Sequence, residues 1–248
     1  MTKPKRSRLD VFLVEQGHFA SREQAQRAVM AGEVRIGDAI VSKSSVMVEP
    51  GAAVSLQARS PYVGRGGTKL EGALDHFAIS AQGVTALDIG ASTGGFTDCL
   101  LQRGAAKVYA IDVGHGQLAW KIRNDPRVVV REKLNARYLR REDIPEKIDL
   151  CVIDVSFISL TLILPNAFDL VTPNGVILAL IKPQFELQAA EVAHGGIVRD
   201  PALHEKAQNK IRDFVANAGH TVTGLAPSGI TGADGNQEFF ICVRRKSG

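Results

Sequence analysis

The sequence is poor in cysteine, in aromatic residues and in long apolar runs, and each scarcity removes a class of protein. Three cysteines among 248 residues, Cys99, Cys151 and Cys242, stand far apart without any Cys-x-x-Cys or Cys/His cluster. Neither a disulfide framework nor a structural zinc site is expected, and the thiols read as reduced and mostly buried. The longest apolar run, 176–181, falls far short of the roughly 18 residues a membrane span needs. No apolar run follows Lys3, Lys5, Arg6 and Arg8, as it would in an export signal. Membrane insertion and secretion are not expected, which leaves a cytoplasmic protein. Aromatic residues make up 6%, and the single tryptophan, Trp120, reads as a packing residue. What is present, 45% hydrophobic and 23% charged residues, suits a globular chain with one large or two unequal domains.

The net charge of +4 is unevenly spread. Residues 1–65 hold 10 Lys/Arg against 6 Asp/Glu, whereas residues 66–248 hold 20 of each, so the whole excess sits at one end. A basic surface concentrated in a short segment is the electrostatic footprint of a nucleic-acid contact, or else a solvated face.

Residues 1–59 read as a small α+β unit. Leu9, Phe12 and Leu13 recur at helical spacing between Ser7, a candidate N-cap, and Gly17. Ser21-Arg22-Glu23-Gln24 has the form of a capping box, Ala25, Ala28 and Val29 supply an apolar face, and Gly32 ends the second helix. Short β-branched runs follow at 34–36, 40–41, 46–48 and 54–56, separated by turns at Gly37-Asp38, 42–45 and Pro50-Gly51. The succession Arg8-Leu9-Asp10, Gly17, Ser21-Arg22, Ala25, Gly32-Glu33-Val34-Arg35-Ile36, Val41-Ser42-Lys43 and Pro50-Gly51 resembles the RNA-binding module named after ribosomal protein S-four, or alpha-L motif. Gly37-Asp38 stands where that module commonly has Asn-Gly. The resemblance implies contact with structured RNA, with Arg8, Arg22, Arg27, Arg35 and Lys43 as phosphate ligands and Arg65 joining them from the following joint.

That joint, 60–67, is too rich in Gly and Pro for a regular element and reads as a linker, with the second domain spanning 68–248. Apolar runs at 84–89, 108–111, 128–130, 150–153, 176–181, 222–225 and 239–243 alternate with helical stretches. This pattern predicts an α/β domain with a doubly wound, mostly parallel sheet that binds ligands at its strand carboxyl ends. The first run leads into Asp88-Ile89-Gly90-Ala91-Ser92-Thr93-Gly94-Gly95-Phe96 and a helix over 97–102. Its glycines let backbone approach a nucleotide-like ligand, but their spacing fits neither the dinucleotide fingerprint nor the P-loop. The next strand ends at Asp112, whose carboxylate can accept from both hydroxyls of a ribose. Strand, turn and acid together resemble the S-adenosylmethionine site of Rossmann-like methyltransferases. Cofactor contacts are then expected at Asp88, Gly90, Ser92, Gly94, Phe96 and Asp112. Asn135 is an adenine contact by position or a turn cap.

Four charged residues stand beside apolar elements. Asp154 follows the run 150–153, Lys182 follows 176–181, Glu238 precedes 239–243, and Lys69 opens a helix-like stretch. In this order they resemble the Lys-Asp-Lys-Glu set of FtsJ-like ribose 2'-O-methyltransferases. Taken with Gly66-Gly67-Thr68-Lys69-Leu70, Asp154-Val155-Ser156-Phe157-Ile158-Ser159, Lys182-Pro183-Gln184-Phe185-Glu186 and His194-Gly195-Gly196-Ile197-Val198-Arg199-Asp200, nearly the whole chain resembles the TlyA family. That family was once labelled haemolysin and contains ribosomal RNA 2'-O-methyltransferases.

The resemblance implies a Rossmann-like class I methyltransferase domain behind a small α+β RNA-binding domain. Its cofactor would be S-adenosylmethionine, its partner ribosomal RNA or a ribosomal subunit, and its target the ribose 2'-hydroxyl of a cytidine. Lys182 would activate that hydroxyl, Asp154 orient Lys182, Lys69 favour oxyanion character or hold a phosphate, and Glu238 fix a lysine or the ribose. Gln184 and Phe185 would line the entry, Phe185 as a stacking surface or as core. No metal is expected, because the electrophile carries its own positive sulfur; no membrane and no obligate protein partner are implied. Two other classes compete: a non-catalytic RNA-binding assembly factor, and a membrane-active haemolysin, for which no basic amphipathic helix stands out.

Overall fold

The computed structural model describes residues 6–30, 32–37, 39–41, 43–56, 61–232 and 234–246. Lys3, Lys5, Asp38, Ser42 and Ser60, which entered the reading above, lie outside the described residues. The chain divides into two compact units, Met1–Arg59 and Ser60–Gly248.

In the first unit, strand β1 (Ser7–Arg8) leads directly into helix α1 (Leu9–Glu15), followed by α2 (Arg22–Met30), β2 (Val34–Ile36), β3 (Ala39–Ile40), β4 (Met47–Val48) and β5 (Val54–Leu56). Ser7 is not the N-cap of α1: it pairs with Val48 in β4, and Arg8 occupies the cap position without a side-chain cap bond. The cap of α2 is close to expectation, with Ser21 Oγ accepting from Gln24 N at 3.3 Å. The Gln24 side chain, however, accepts from Ala20 N rather than from Ser21. Leu9, Phe12, Leu13, Ala25, Ala28, Val29, Val34 and Val48 close over one another as the core of this unit.

The second unit begins with helix α3 (Arg65–His76), so Arg65, Gly66 and Gly67 are its first turn and not linker. The preceding residues pack onto the unit as well: Tyr62 is buried, and Val63 N donates to Asp98 Oδ2. There follow β6 (Thr85–Ile89), α4 (Gly95–Gln102), β7 (Lys107–Asp112), α5 (Trp120–Arg123), β8 (Val128–Glu132), β9 (Ile148–Ile153), α6 (Leu164–Leu170), β10 (Val171–Ile181), α7 (Pro183–Glu186), α8 (Pro201–Asn217), β11 (Thr221–Pro227) and β12 (Phe239–Arg244). The strands form one sheet in the order β11-β12-β10-β9-β6-β7-β8. It is parallel from β10 to β8, while β12 runs antiparallel to both neighbours.

Alternate side chains divide between the two faces, as the pleat requires. Leu87, Ile89, Cys151 and Ile153 join the cluster under α6 and α8, whereas Ala86, Leu150 and Val152 join the one under α3 and α4. Both faces are covered, which is why these strands are continuous apolar runs. All three cysteines are buried and unbonded, and burial pushes the Cys99 thiol up to about 12. Trp120 departs from expectation: it is 80% exposed and packs no core. Among the described residues, no helix is long and apolar enough to cross a membrane.

Candidate active site

The chain winds outward from β6 through β7 to β8 and then returns to lay β9 on the other side of β6, so a switch point lies between β6 and β9. Gly90 and Asp154 follow those two strands directly. They touch through backbone: Asp154 N donates to Ile89 O at 2.9 Å, and a Cβ on Gly90 would sit 2.2 Å from the Asp154 carbonyl oxygen. Only a glycine fits there, and its φ of +88° is the left-handed region in which glycine is at ease. Ile181 pairs with Phe239 across β10 and β12, so the register sets Lys182 opposite Glu238 at the same edge of the sheet.

Lys69 reaches this edge from α3 because glycines let two helix starts touch. A Cβ on Gly95 of α4 would lie 3.0 Å from Gly67 N and 3.3 Å from Gly66 Cα, and one on Gly67 would strike Tyr62 at 2.2 Å. One turn beyond Gly66, Lys69 is buried and paired with the buried Glu238 carboxylate. Lys182 Nζ lies 2.6 Å from Asp154 Oδ1 and donates to Ser156 Oγ at 3.0 Å. The four charged residues read from sequence thus form two ion pairs. Removing one partner of the buried Lys69–Glu238 pair leaves an uncompensated charge, which costs about 3–5 kcal/mol.

Beside the pairs opens a cavity of about 410 Å³, lined by Gly90, Ser92, Asp112, Gln117, Leu134, Asn135, Asp154, Ser156, Phe157 and neighbouring residues. That volume lies within the roughly 300–1,000 Å³ usual for small-molecule sites. Asp112 holds its rim with both oxygens, Oδ2 accepting from Ser92 N at 2.8 Å and Oδ1 from Gly114 N at 2.6 Å. Asn135 does both things considered for it, since it lines the cavity and its Oδ1 accepts from Arg137 N at 3.0 Å as a turn cap. A smaller recess, lined by Gly66, Gly90, Ser92, Gly95, Phe96 and Asp154, joins the loop to the ion pairs. A glycine cradle, a carboxylate and apolar walls fit a nucleoside-bearing cofactor.

Two expected cofactor residues stand behind the cavity instead of in its wall. Asp88 is fully buried among the side chains facing α3 and α4, beside Ala110 and Val152, and its Oδ2 accepts from Thr97 Oγ1 at 2.6 Å. Desolvation raises its pKa to about 7, against the opposing Thr97 bond. Gly94 is favoured by its φ of +94°, and a Cβ there would also press on Leu118 Cδ1 at 2.9 Å.

In the first unit, Arg8 and Arg22 do not stand free. Arg8 Nε and Nη2 donate to the two oxygens of buried Asp10 at 3.0 and 2.9 Å, and Arg22 Nη2 and Gln26 Nε2 donate to Oδ2 at 3.2 and 2.7 Å. The Arg8 guanidinium, ahead of the other donors, holds the Asp10 carboxyl far below the usual carboxylate range despite its burial. Arg27 and Lys43 are exposed, Arg35 is half-buried, and Arg65 donates to Thr231 O at 3.0 Å.

Sequence reasoning missed Gln117, Val113 and Leu134 as lining residues, and Ser156 as the partner of Lys182. Ser156 and Phe157 lay inside a quoted motif; an apolar Val113 directly after Asp112 was the available signal for an apolar wall. Phe185 is half-buried and its ring centroid lies 5.1 Å from that of Phe157, which is 89% exposed.

Residues 62–245 match the family described as FtsJ-like methyltransferase, and residues 7–54 match the S4 domain. The chain is 43% identical over 245 residues to the 16S/23S rRNA (cytidine-2'-O)-methyltransferase TlyA of Mycobacterium tuberculosis, covering 98% of this chain and 91% of that one. It is 42% identical to Hemolysin A of Brachyspira hyodysenteriae over 94% of this chain and 98% of that protein. A solved structure from Streptococcus thermophilus that bears the name hemolysin superposes with a TM-score of 0.77 at 42% identity, covering 99% of this chain and 90% of that one.

Proposed function

The chain belongs to the FtsJ-like methyltransferase family, and from that membership we propose that it methylates a ribose 2'-hydroxyl of ribosomal RNA with S-adenosylmethionine. A cytidine target and a place beside the ribosome in the cytoplasm extend this reading from the TlyA relative. The observation that carries it is the pairing of Lys182 with Asp154 and of Lys69 with Glu238 at the edge of a nucleoside-sized cavity. The cofactor, when bound, supplies a methyl group on a positively charged sulfur.

Asp112 and Asn135, which line the cavity, would hold the nucleoside end, and Gly90 keeps the loop in contact with Asp154. A ribose hydroxyl is a poor acid, so transfer requires stabilisation of the oxygen as its proton leaves. Lys182, fixed by Asp154 and Ser156, places a cation at that oxygen, and the departing proton goes to the Asp154 carboxylate, the group of the pair that can accept one while Lys182 stays charged. Lys69, held by Glu238, adds a second cation at the same edge of the sheet. Phe157 and Phe185 offer a stacking surface to a base turned out of its helix.

Purified protein mixed with unmodified ribosomal subunits and methyl-labelled S-adenosylmethionine should place label on a ribose, mapped by mass spectrometry. Lys182→Ala should abolish labelling while cofactor binding persists. Turnover by that variant would remove Lys182 from the chemistry, and no labelling by wild type despite binding of both ligands would favour a non-catalytic assembly factor.

A further inference from the structure

The motif His194-Gly195-Gly196-Ile197-Val198-Arg199-Asp200 takes no part in the mechanism above. Its glycines turn the chain, Gly195 at a φ of +100° and Gly196 at +77°. Its far end starts α8: Asp200 Oδ1 accepts from Ala202 N at 2.9 Å as an N-cap, and Pro201 takes the first helical position. Between these ends Val198 is buried, and its carbonyl accepts from His204 Nε2 at 2.8 Å. The His204 ring meets Phe239 edge-on with centroids 5.3 Å apart, and Phe239 directly follows Glu238.

One buried side chain joins this strap to the loop before β12. Asn236, 1% exposed, accepts at Oδ1 from Val198 N at 2.8 Å and donates from Nδ2 to Gly196 O at 2.9 Å. Its own carbonyl accepts from Gly232 N at 2.8 Å. Gly232 in turn lies on the Glu238 carboxylate: a Cβ there would come within 2.7 Å of Oε1, while Oε2 is the oxygen paired with Lys69. Arg65, one turn before Lys69 on α3, donates from Nη2 to Thr231 O at 3.0 Å. The cover over the ion pair is thus held by Asn236 on one side and by the helix that carries Lys69 on the other.

We propose that Asn236 is a positioning residue for methyl transfer, whose clamp on Gly196 and Val198 holds Gly232 over Glu238, keeps water from the Lys69–Glu238 pair and so fixes Lys69. The proposal rests on the methyltransferase reading above. Asn236 does not line the cofactor cavity, so it acts on the chemical step and not on cofactor binding. Excluding water strengthens the attraction within an ion pair. Groups at a reacting centre depend on such supporting bonds, because a misplacement of about 1 Å costs roughly a hundred-fold in rate.

The test compares Asn236→Ala with wild type in methyl transfer to unmodified ribosomal subunits and in acetylation of Lys69 by acetic anhydride, read by peptide mass spectrometry. Per cofactor-binding molecule, kcat should fall roughly ten- to a hundred-fold, with S-adenosylmethionine affinity as in wild type. Lys69 should be acetylated several-fold faster, while Lys107, at the opposite edge of the sheet, reacts as before. A merely structural Asn236 would lower the yield of folded protein and move neither readout. Wild-type kcat or wild-type Lys69 protection in the folded variant would therefore overturn the proposal. Should Asn236→Ala fail to fold, Gly232→Ala keeps the clamp and presses a methyl on Glu238. It should lower kcat and expose Lys69 in the same way, and wild-type values from it would overturn the proposal too. A failure of the methyltransferase reading is distinguishable, because wild type would then bind subunits without labelling them while Lys69 acetylation still reports on the clamp.

Discussion

Asp88→Asn separates a charge from a position in the cofactor loop. Asp88 lies against Ala110 and Val152 and keeps one bond, from Thr97; burial raises its pKa from 3.8 to about 7. The folded unit therefore binds this proton more tightly than the unfolded chain. Its stabilising contribution is complete below pH 3.8 and is lost as pH rises through about 7. At about 1.4 kcal/mol for each tenfold change in proton affinity, the whole effect is on the order of 4 kcal/mol, of which roughly 3 falls between pH 5 and pH 8. Asparagine is uncharged at both pH values and can still accept from Thr97. Scanning calorimetry of wild type and variant at the two pH values should show a smaller loss of melting temperature in Asp88→Asn. The expected difference is roughly 5–10 °C for a unit of this size. Cofactor affinity should be retained, because Asp88 does not line the cavity. An equal pH-dependent loss in both proteins would refute the assignment of the buried charge.

Two more perturbations address the site. Gly90→Ala puts a Cβ 2.2 Å from the Asp154 carbonyl at a φ of +88°. The clash must move the loop or Asp154, both of which line the cavity, and should lower S-adenosylmethionine affinity at least several-fold by titration calorimetry; unchanged affinity would remove the loop–Asp154 contact from the account. Glu186 accepts from Leu160 N at 2.8 Å, Ser159 Oγ at 2.5 Å and Lys210 Nζ at 3.0 Å, tying the turn after Lys182 to the loop that carries Phe157. Glu186→Ala strands the buried Leu160 N at a cost of about 1–3 kcal/mol and should reduce kcat for methyl transfer, with Glu186→Gln restoring part of it. Equal kcat in both variants and wild type would make the cluster purely structural.

Much of the fold was legible because its signals are local. Seven apolar runs became the seven strands of the sheet, since strands covered on both faces need continuous hydrophobicity. The joint was misread because composition cannot tell glycines in a linker from glycines that let two helices touch; Gly66 and Gly67 are the latter. Ser7 was misread as a cap because its pairing with Val48 is a contact between residues far apart in sequence. Trp120 was assigned to packing by its type, and only the turn of α5 decides that it faces solvent.

By itself the sequence determined the two-unit organisation, the glycine turn with an acid ending the next strand, and the identity and order of Lys69, Asp154, Lys182 and Glu238. Each of these is carried by residue type and spacing along the chain. Only the tertiary structure decided which lysine meets which acid, that Asp88 and Gly94 stand behind the cavity, and that Arg8 and Arg22 converge on Asp10 while Lys133, Arg137 and Arg140 have no ion-pair partner among the described residues. The physical reason is that pairing and burial are set by strand register and helix approach. The β10–β12 register, the switch point between β6 and β9 and the glycine contact of α3 with α4 bring together residues up to 169 positions apart, and no local pattern encodes that meeting.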